Sequence, residues 1–216
     1  MSVYVKICGI TRSEDAAAAC EAGADAIGFV FAPSKRRVDI ETAARVSEAL
    51  TRIERVGVFV EEPFSFVRDA VQRVPLQAVQ FHRLPRDIWT AAEVDEWRDL
   101  VRQTGVIVIH AFRARDADSL RADIESRIQE TDRILLDAFV PNAEGGTGKT
   151  FDWSLVAVAQ TYGKPVLVAG GLTPDNVGEA VRQTRPWGVD VSSGVELAPG
   201  VKNHDAIRRF VTGARC

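Results

Sequence analysis

A chain of 216 residues, 46% of them hydrophobic and 26% charged, has the balance of an ordinary globular protein and is long enough to bury a substantial core. Its net charge of −3 argues against the basic footprint of a general nucleic-acid binder, yet leaves room for a local positive site that takes a small anion. Cys8, Cys20 and Cys216 are widely spaced with no CxxC pair, which points to neither a zinc site nor a disulfide framework. With no signal-like N-terminus and no spanning apolar run, the expectation is a reducing cytoplasm and no membrane partner.

In chain order, short β-branched and apolar runs stand at VYVKI (3–7), AIGFVF (26–31), RVGVFV (55–60), QAVQF (77–81), VIVIHA (106–111), RILLDA (133–138), PVLVAG (165–170) and GVDVSS (188–193). Stretches with helical spacing lie between them, among them SEDAAAACEAG (13–23), IETAARVSEAL (40–50), PFSFVRDAVQRV (63–74) and PDNVGEAVRQT (174–184). Strands alternating with helical patterns indicate βαβ units and a parallel sheet. Eight regular steps without a linker predict an α/β fold, a (β/α)8 (TIM) barrel forming a single domain over 1–216; an open doubly wound sheet is the alternative. Ser13 or Thr11 is expected to cap the first helix, Gly23 to end it, and Pro174 to sit at a helix start.

In such a barrel the active site forms at the C-terminal ends of the strands. That rule selects Cys8 from the first strand, PSKRR (33–37) after the second, Gln80 and His82 from the fourth and Asp137 from the sixth. It also selects Gly170 and Gly171 from the seventh strand and Ser192, Ser193 and Gly194 from the eighth. Asp137 ends an apolar run, and a carboxyl partly withdrawn from water suits a general acid. Cys8 has Lys6 two residues earlier on the same strand face, and a nearby ammonium favours the thiolate that a base requires. The bland alternatives are a strand-end carboxylate bonded to backbone and a core cysteine. The paired glycine-bearing loops after strands seven and eight suit a phosphate, where backbone N–H groups must approach closely.

GGTGKT (145–150) lacks the first glycine of a nucleotide-binding loop, since position 143 is Ala, so ATP and GTP are not expected there. The long segment FVPNAEGGTGKT (139–150) reads instead as a loop that carries Lys149 over the mouth. His82, His110 and His204 lack metal-ligand spacing, and the tryptophans, Trp89, Trp97, Trp153 and Trp187, read as packing residues.

KICGIT, GFVF with SKR, QFH, GGTGKTFDW, AGGLTPDNV and VDVSSGVE, in this order from residue 3 to about 210, resemble the phosphoribosylanthranilate isomerases of tryptophan biosynthesis. The resemblance implies a cofactor-free barrel that isomerises N-(5-phosphoribosyl)anthranilate by an Amadori rearrangement. It implies Asp137 as general acid, Cys8 as general base and Arg36 as the anchor of the anthranilate carboxylate, with Arg37 as the alternate if the register slips. It implies a phosphorylated small molecule as partner, and size leads us to expect a monomer rather than a dimer. Two positions depart from the family's QLHG: Phe81 and Arg83, the latter unable to use glycine's positive φ. The rival readings are an isomerase of the histidine-pathway aminoaldose, which typically carries aspartate where Cys8 stands, and a non-catalytic phospho-ligand binder.

Overall fold

The computed structural model describes residues 2–48, 50, 52–113, 116–137 and 153–216. Eight parallel strands close into a barrel: β1 (Tyr4–Cys8), β2 (Ala26–Val30), β3 (Glu54–Phe59), β4 (Ala78–Phe81), β5 (Ile107–Arg113), β6 (Arg133–Asp137), β7 (Val166–Ala169) and β8 (Gly188–Val191). Closure runs through β1, which pairs Lys6 with Ala26 of β2 on one side and with Asp190 of β8 on the other. The barrel expectation is met, and the open sheet is excluded.

Strand parity decides what each residue faces. Ala26, Val56, Ala78, Ile109, Ala111, Leu135, Leu167 and Ala169 form one buried cluster inside the barrel. The alternate residues, such as Val5, Ile7, Ile27, Phe29, Ile134 and Val189, join a larger cluster with the helices. Those helices are α1 (Ser13–Glu21), α2 (Ile40–Ser47), α3 (Phe64–Arg73), α4 (Pro85–Ile88), α5 (Ala91–Thr104), α6 (Ala117–Glu125), α7 (Ser154–Gln160), α8 (Val177–Thr184) and α9 (His204–Ala214). Phe81, the departure at the end of β4, faces this outer layer and packs its ring on Phe59, Trp89 and Trp97 at 5.5–5.9 Å. It extends an aromatic cluster and stays out of the barrel interior. Trp89, Trp97 and Trp153 pack against the core as expected, whereas Trp187 is 37% exposed and stacks on Tyr4.

Several local expectations need correction. No side chain caps α1: its N-cap is Arg12, Ser13 is already helical, and Thr11 Oγ1 donates to the Gly200 carbonyl instead. Gly23 does follow the helix end, at φ +85°. Pro174 lies in a turn three residues before α8 rather than at its start; Asn176 Oδ1 closes that turn by accepting from Thr173 N. His204 opens α9, and its Nε2 reaches the buried Asp15 carboxylate at 2.9 Å. A short hairpin, β9 (Glu196–Ala198) and β10 (Val201–Lys202), follows β8 and was not anticipated. Among the described residues no helix is long and apolar enough to cross a membrane, and no group of acidic, His and Cys side chains could hold a metal.

Candidate active site

A cavity of about 440 Å³ opens at the C-terminal ends of the strands. Of the residues selected from the sequence for chemistry or binding, Cys8, Pro33, Ser34, Arg36, Gln80, His82, Asp137, Gly170, Gly171, Ser192, Ser193 and Gly194 line it; Lys35 and Arg37 do not, and Lys149 lies outside the described residues with the rest of 138–152. Parity explains why they converge. Cys8, Gln80 and Asp137 occupy the inward positions of β1, β4 and β6, whose lower inward neighbours, such as Ala78 and Leu135, fill the barrel. Cys8 and Asp137 come from strands three steps apart round the closed sheet, so they flank the cavity from nearly opposite sides.

Beneath Cys8 lies a buried polar chain. Lys6 Nζ donates to Asp190 Oδ1 at 2.7 Å and to Gln80 Oε1 at 3.0 Å. An ammonium can only donate, so the amide oxygen of Gln80 faces Lys6 and its NH2 faces His82 Nε2, 3.1 Å away. His82 therefore accepts at Nε2 and keeps its proton on Nδ1. Burial lowers its pKa, with the Asp137 charge opposing, so the ring stays neutral and presents one N–H donor. Asp190 was not selected from the sequence. It precedes Ser192 by two residues on the same strand face, which was the available signal.

Lys6 acts on Cys8 in the expected direction but does not decide the outcome. Burial pushes the thiol up, Lys6 and Lys202 pull it down, Asp190 pushes it up again, and the outcome is a raised pKa. Lys6 does not prevail because burial outweighs it, and Asp190, which holds the Lys6 ammonium at 2.7 Å, adds to burial. Burial also pulls on the Lys6 ammonium, but Asp190 and Cys8 outweigh it, and Lys6 stays charged.

The second-strand loop presents Arg36 to the cavity, while Arg37 is exposed and takes no part in its lining. Of the two arginines left open by the register, Arg36 is the one that reaches the cavity. The Arg36 fork is engaged on one edge: Nε and Nη2 donate to the two oxygens of Glu196 at 2.8 and 2.7 Å. Pro33, Ala32, Val30, Val58 and Val60 form an apolar wall on this side. On the far side Gly170 and Gly171 take φ of +86° and +67°, the left-handed region that favours glycine. A Cβ on Gly194 would sit 1.9 Å from the Leu172 carbonyl oxygen, so the loops after β7 and β8 touch only because that residue is glycine. Arg83, which replaces the family's glycine, does not appear among the positive-φ residues and pairs with Glu61 instead. Arg113, at the end of β5, also lines the cavity and was missed from the sequence.

Comparison with known proteins agrees with this geometry. The family model described as N-(5'phosphoribosyl)anthranilate (PRA) isomerase matches residues 5–213. An N-(5'-phosphoribosyl)anthranilate isomerase of Geobacter sulfurreducens is 46% identical over 99% of this chain and 98% of its own. The crystal structure of the phosphoribosyl anthranilate isomerase from Thermotoga maritima superposes with a TM-score of 0.82 at 42% identity, covering 98% of both chains. A second structure, with a TM-score of 0.79 at 39% identity and 98% coverage of both chains, is a phosphoribosyl anthranilate isomerase in complex with reduced 1-(o-carboxyphenylamino)-1-deoxyribulose 5-phosphate. With an acid, a thiol, an arginine fork and a pair of glycine loops around one cavity, and with these matches along nearly its whole length, the chain belongs to the PRA isomerase family.

Proposed function

We propose a division of labour among these residues for the reaction of the family, the isomerisation of N-(5-phosphoribosyl)anthranilate to 1-(2-carboxyphenylamino)-1-deoxyribulose 5-phosphate in tryptophan biosynthesis. The observation that carries it is the placement of Cys8 and Asp137 on opposite sides of one cavity whose other walls hold Arg36 and the β7 and β8 loops. The carboxylic acid of Asp137 protonates the ribose ring oxygen. The bond from that oxygen to C1′ breaks as the nitrogen lone pair forms the C1′=N Schiff base. The Cys8 thiolate then removes the C2′ proton, and the electron pair moves into C1′=C2′ as the nitrogen regains its own, giving an enolamine that tautomerises to the ketone.

The raised thiol pKa bears on this step in two ways. Little thiolate is present at neutral pH, but each thiolate is a stronger base than an ordinary one. Arg36 holds the anthranilate carboxylate, the apolar wall takes the aromatic ring, Gln80 and His82 contact the ribose, and Gly170, Gly171, Ser192, Ser193 and Gly194 cradle the phosphate. All of these groups come from one chain. We accordingly infer a monomer as the working unit, one domain over 1–216, in the cytoplasm, with a phosphorylated small molecule and neither nucleic acid nor membrane as its partner. Light scattering of the purified protein checks the first of these.

The direct test follows the loss of anthranilate fluorescence when fresh substrate is added. Cys8→Ala and Asp137→Ala should each lower kcat by roughly 10²–10⁴-fold, the usual worth of a positioned acid or base. A Cys8→Ala enzyme that kept most of its activity would remove the thiol from the mechanism. A wild type inactive on this substrate but active on the histidine-pathway aminoaldose would move the whole assignment.

A further inference from the structure

Arg36 is held in a way that the rearrangement itself does not require. Its guanidinium carries five N–H groups on two usable edges. The edge formed by Nε and Nη2 is closed by Glu196, through hydrogen bonds of 2.8 and 2.7 Å. The other edge, formed by Nη1 and Nη2, is left for a second carboxylate. Along the stem of the side chain the backbone just after β1 presses close: a Cβ on Gly9, at φ +76°, would stand 2.6 Å from Arg36 Cδ. Arg36 N also donates to Ser34 Oγ at 3.0 Å. Stem and head are thus both held, and Arg36 lines the cavity.

A carboxylate beside an anion-binding arginine would ordinarily weaken it. Lys202 removes that conflict. Its buried ammonium donates to Glu196 Oε1 at 2.8 Å and to the Ser192 carbonyl at 3.1 Å. Two cations share one carboxylate, so Arg36, Glu196 and Lys202 together keep one positive charge. Burial raises the Glu196 carboxyl, but the bonds from Arg36 and Lys202 outweigh it, so Glu196 is ionised at neutral pH. The hairpin carrying Glu196 and Lys202 is itself tied down, with Lys202 N donating to Asp15 Oδ2 at 3.1 Å and Thr11 Oγ1 to Gly200 O at 2.6 Å.

We propose that Glu196 is a positioning residue for substrate specificity: by clamping one edge of Arg36, with Lys202 offsetting its charge, it presets the plane in which the other edge receives the substrate carboxylate. A preset fork selects substrates whose carboxylate lies in the plane of the ring at the ortho position, because binding then needs no reorientation of the arginine. This inference rests on the reading of Arg36 as the carboxylate anchor, and the experiment separates the two.

Steady-state kinetics are measured for wild type, Glu196→Gln, Glu196→Asp and Arg36→Met on two substrates, N-(5-phosphoribosyl)anthranilate and its analogue without the carboxylate, N-(5-phosphoribosyl)aniline. Glu196→Gln keeps one acceptor oxygen but turns an NH2 toward Arg36. It should raise KM for the carboxylate substrate about tenfold while changing kcat less than threefold, and leave KM for the aniline analogue unchanged. Glu196→Asp keeps a charge for Lys202 but is too short to bridge both guanidinium nitrogens, so it should show the same split and decides the matter if Glu196→Gln fails to fold. If Arg36→Met discriminates between the substrates and neither Glu196 variant does, the inference is overturned and the role of Arg36 stands. Equal losses on both substrates for the Glu196 variants overturn it as well, since they signal a merely structural contact. If Arg36→Met itself affects both substrates alike, the carboxylate-anchor reading falls and takes this inference with it.

Discussion

The two ends of the barrel use the same materials for opposite purposes. At the N-terminal end Arg133 Nη1 donates to Glu54 at 2.7 Å and to the Tyr4 hydroxyl at 3.3 Å, while its guanidinium lies over the rings of Tyr4 and Trp187 at 5.3 and 4.8 Å. Burial, reinforced by Glu54, holds the Tyr4 phenol well above its ordinary value, so it remains a neutral plug. At the C-terminal end Lys6, Asp190, Gln80 and His82 are linked below a cavity, and Arg36 is linked beside it. The closed end turns its charges on one another and on aromatic faces. The open end pairs Arg36 with Glu196 and His82 with Gln80, and both groups, with Cys8, line the cavity. A barrel end becomes a site by setting its buried polar groups against a cavity, which the many hydrogen bonds below Cys8 make affordable.

The contrast can be broken most forcefully at Lys6. Lys6→Met leaves Asp190 buried without its cation, which should cost about 3–5 kcal/mol of stability in urea unfolding. It should also move the Cys8 thiol further up, because Lys6 opposes burial and Asp190 there, so thiolate appears only at higher pH and kcat/KM at neutral pH falls. A thiol titration unchanged by the substitution would show that Lys6 is not coupled to Cys8.

At the closed end, Arg133→Met should cost about 2–3 kcal/mol by stranding Glu54, yet leave kcat within twofold of wild type. A parallel loss of activity would mean that the two ends are not independent. Between them, on the outer face of β5, His110 offers a pH probe. Its Nδ1 meets Thr131 Oγ1 at 2.8 Å, its buried Nε2 has no partner among the described residues, and burial lowers its pKa from 6.5 to about 4. Because the folded value is depressed, the unfolded chain takes up the proton first. Stability is complete above the unfolded value of 6.5 and declines as pH falls toward 4, by about 2 kcal/mol between pH 7 and pH 5. Urea titrations at both pH values measure it, and His110→Gln should flatten the dependence.

The smallest effect is expected on the closed side, just before Trp187. Arg185, at the C-cap of α8, is the one positive-φ residue other than glycine among the described residues, at φ 44°. Arg185→Gly should relieve that strain at some cost in unfolded-chain entropy, for a net gain of about 0.5 kcal/mol seen as a slightly higher Tm.

Read by itself, the sequence determined the strands, their inward parity and hence most of the cavity lining. Cys8, Gln80, Asp137 and the glycines after β7 and β8 could be named because strand alternation is local and the barrel rule supplies the end. The resemblance in KICGIT and its companion motifs added the substrate, which alternation cannot contain. Tertiary structure decided which charges meet. Asp190 finds Lys6 only because closure sets β8 beside β1, and Glu196 finds Arg36 only because a hairpin folds back across the mouth. Which of Arg36 and Arg37 reaches the cavity, and the direction of the Cys8 shift, also lie at that level. Each is a balance of desolvation against partners far apart in the chain, and no local pattern records which partner closure brings near.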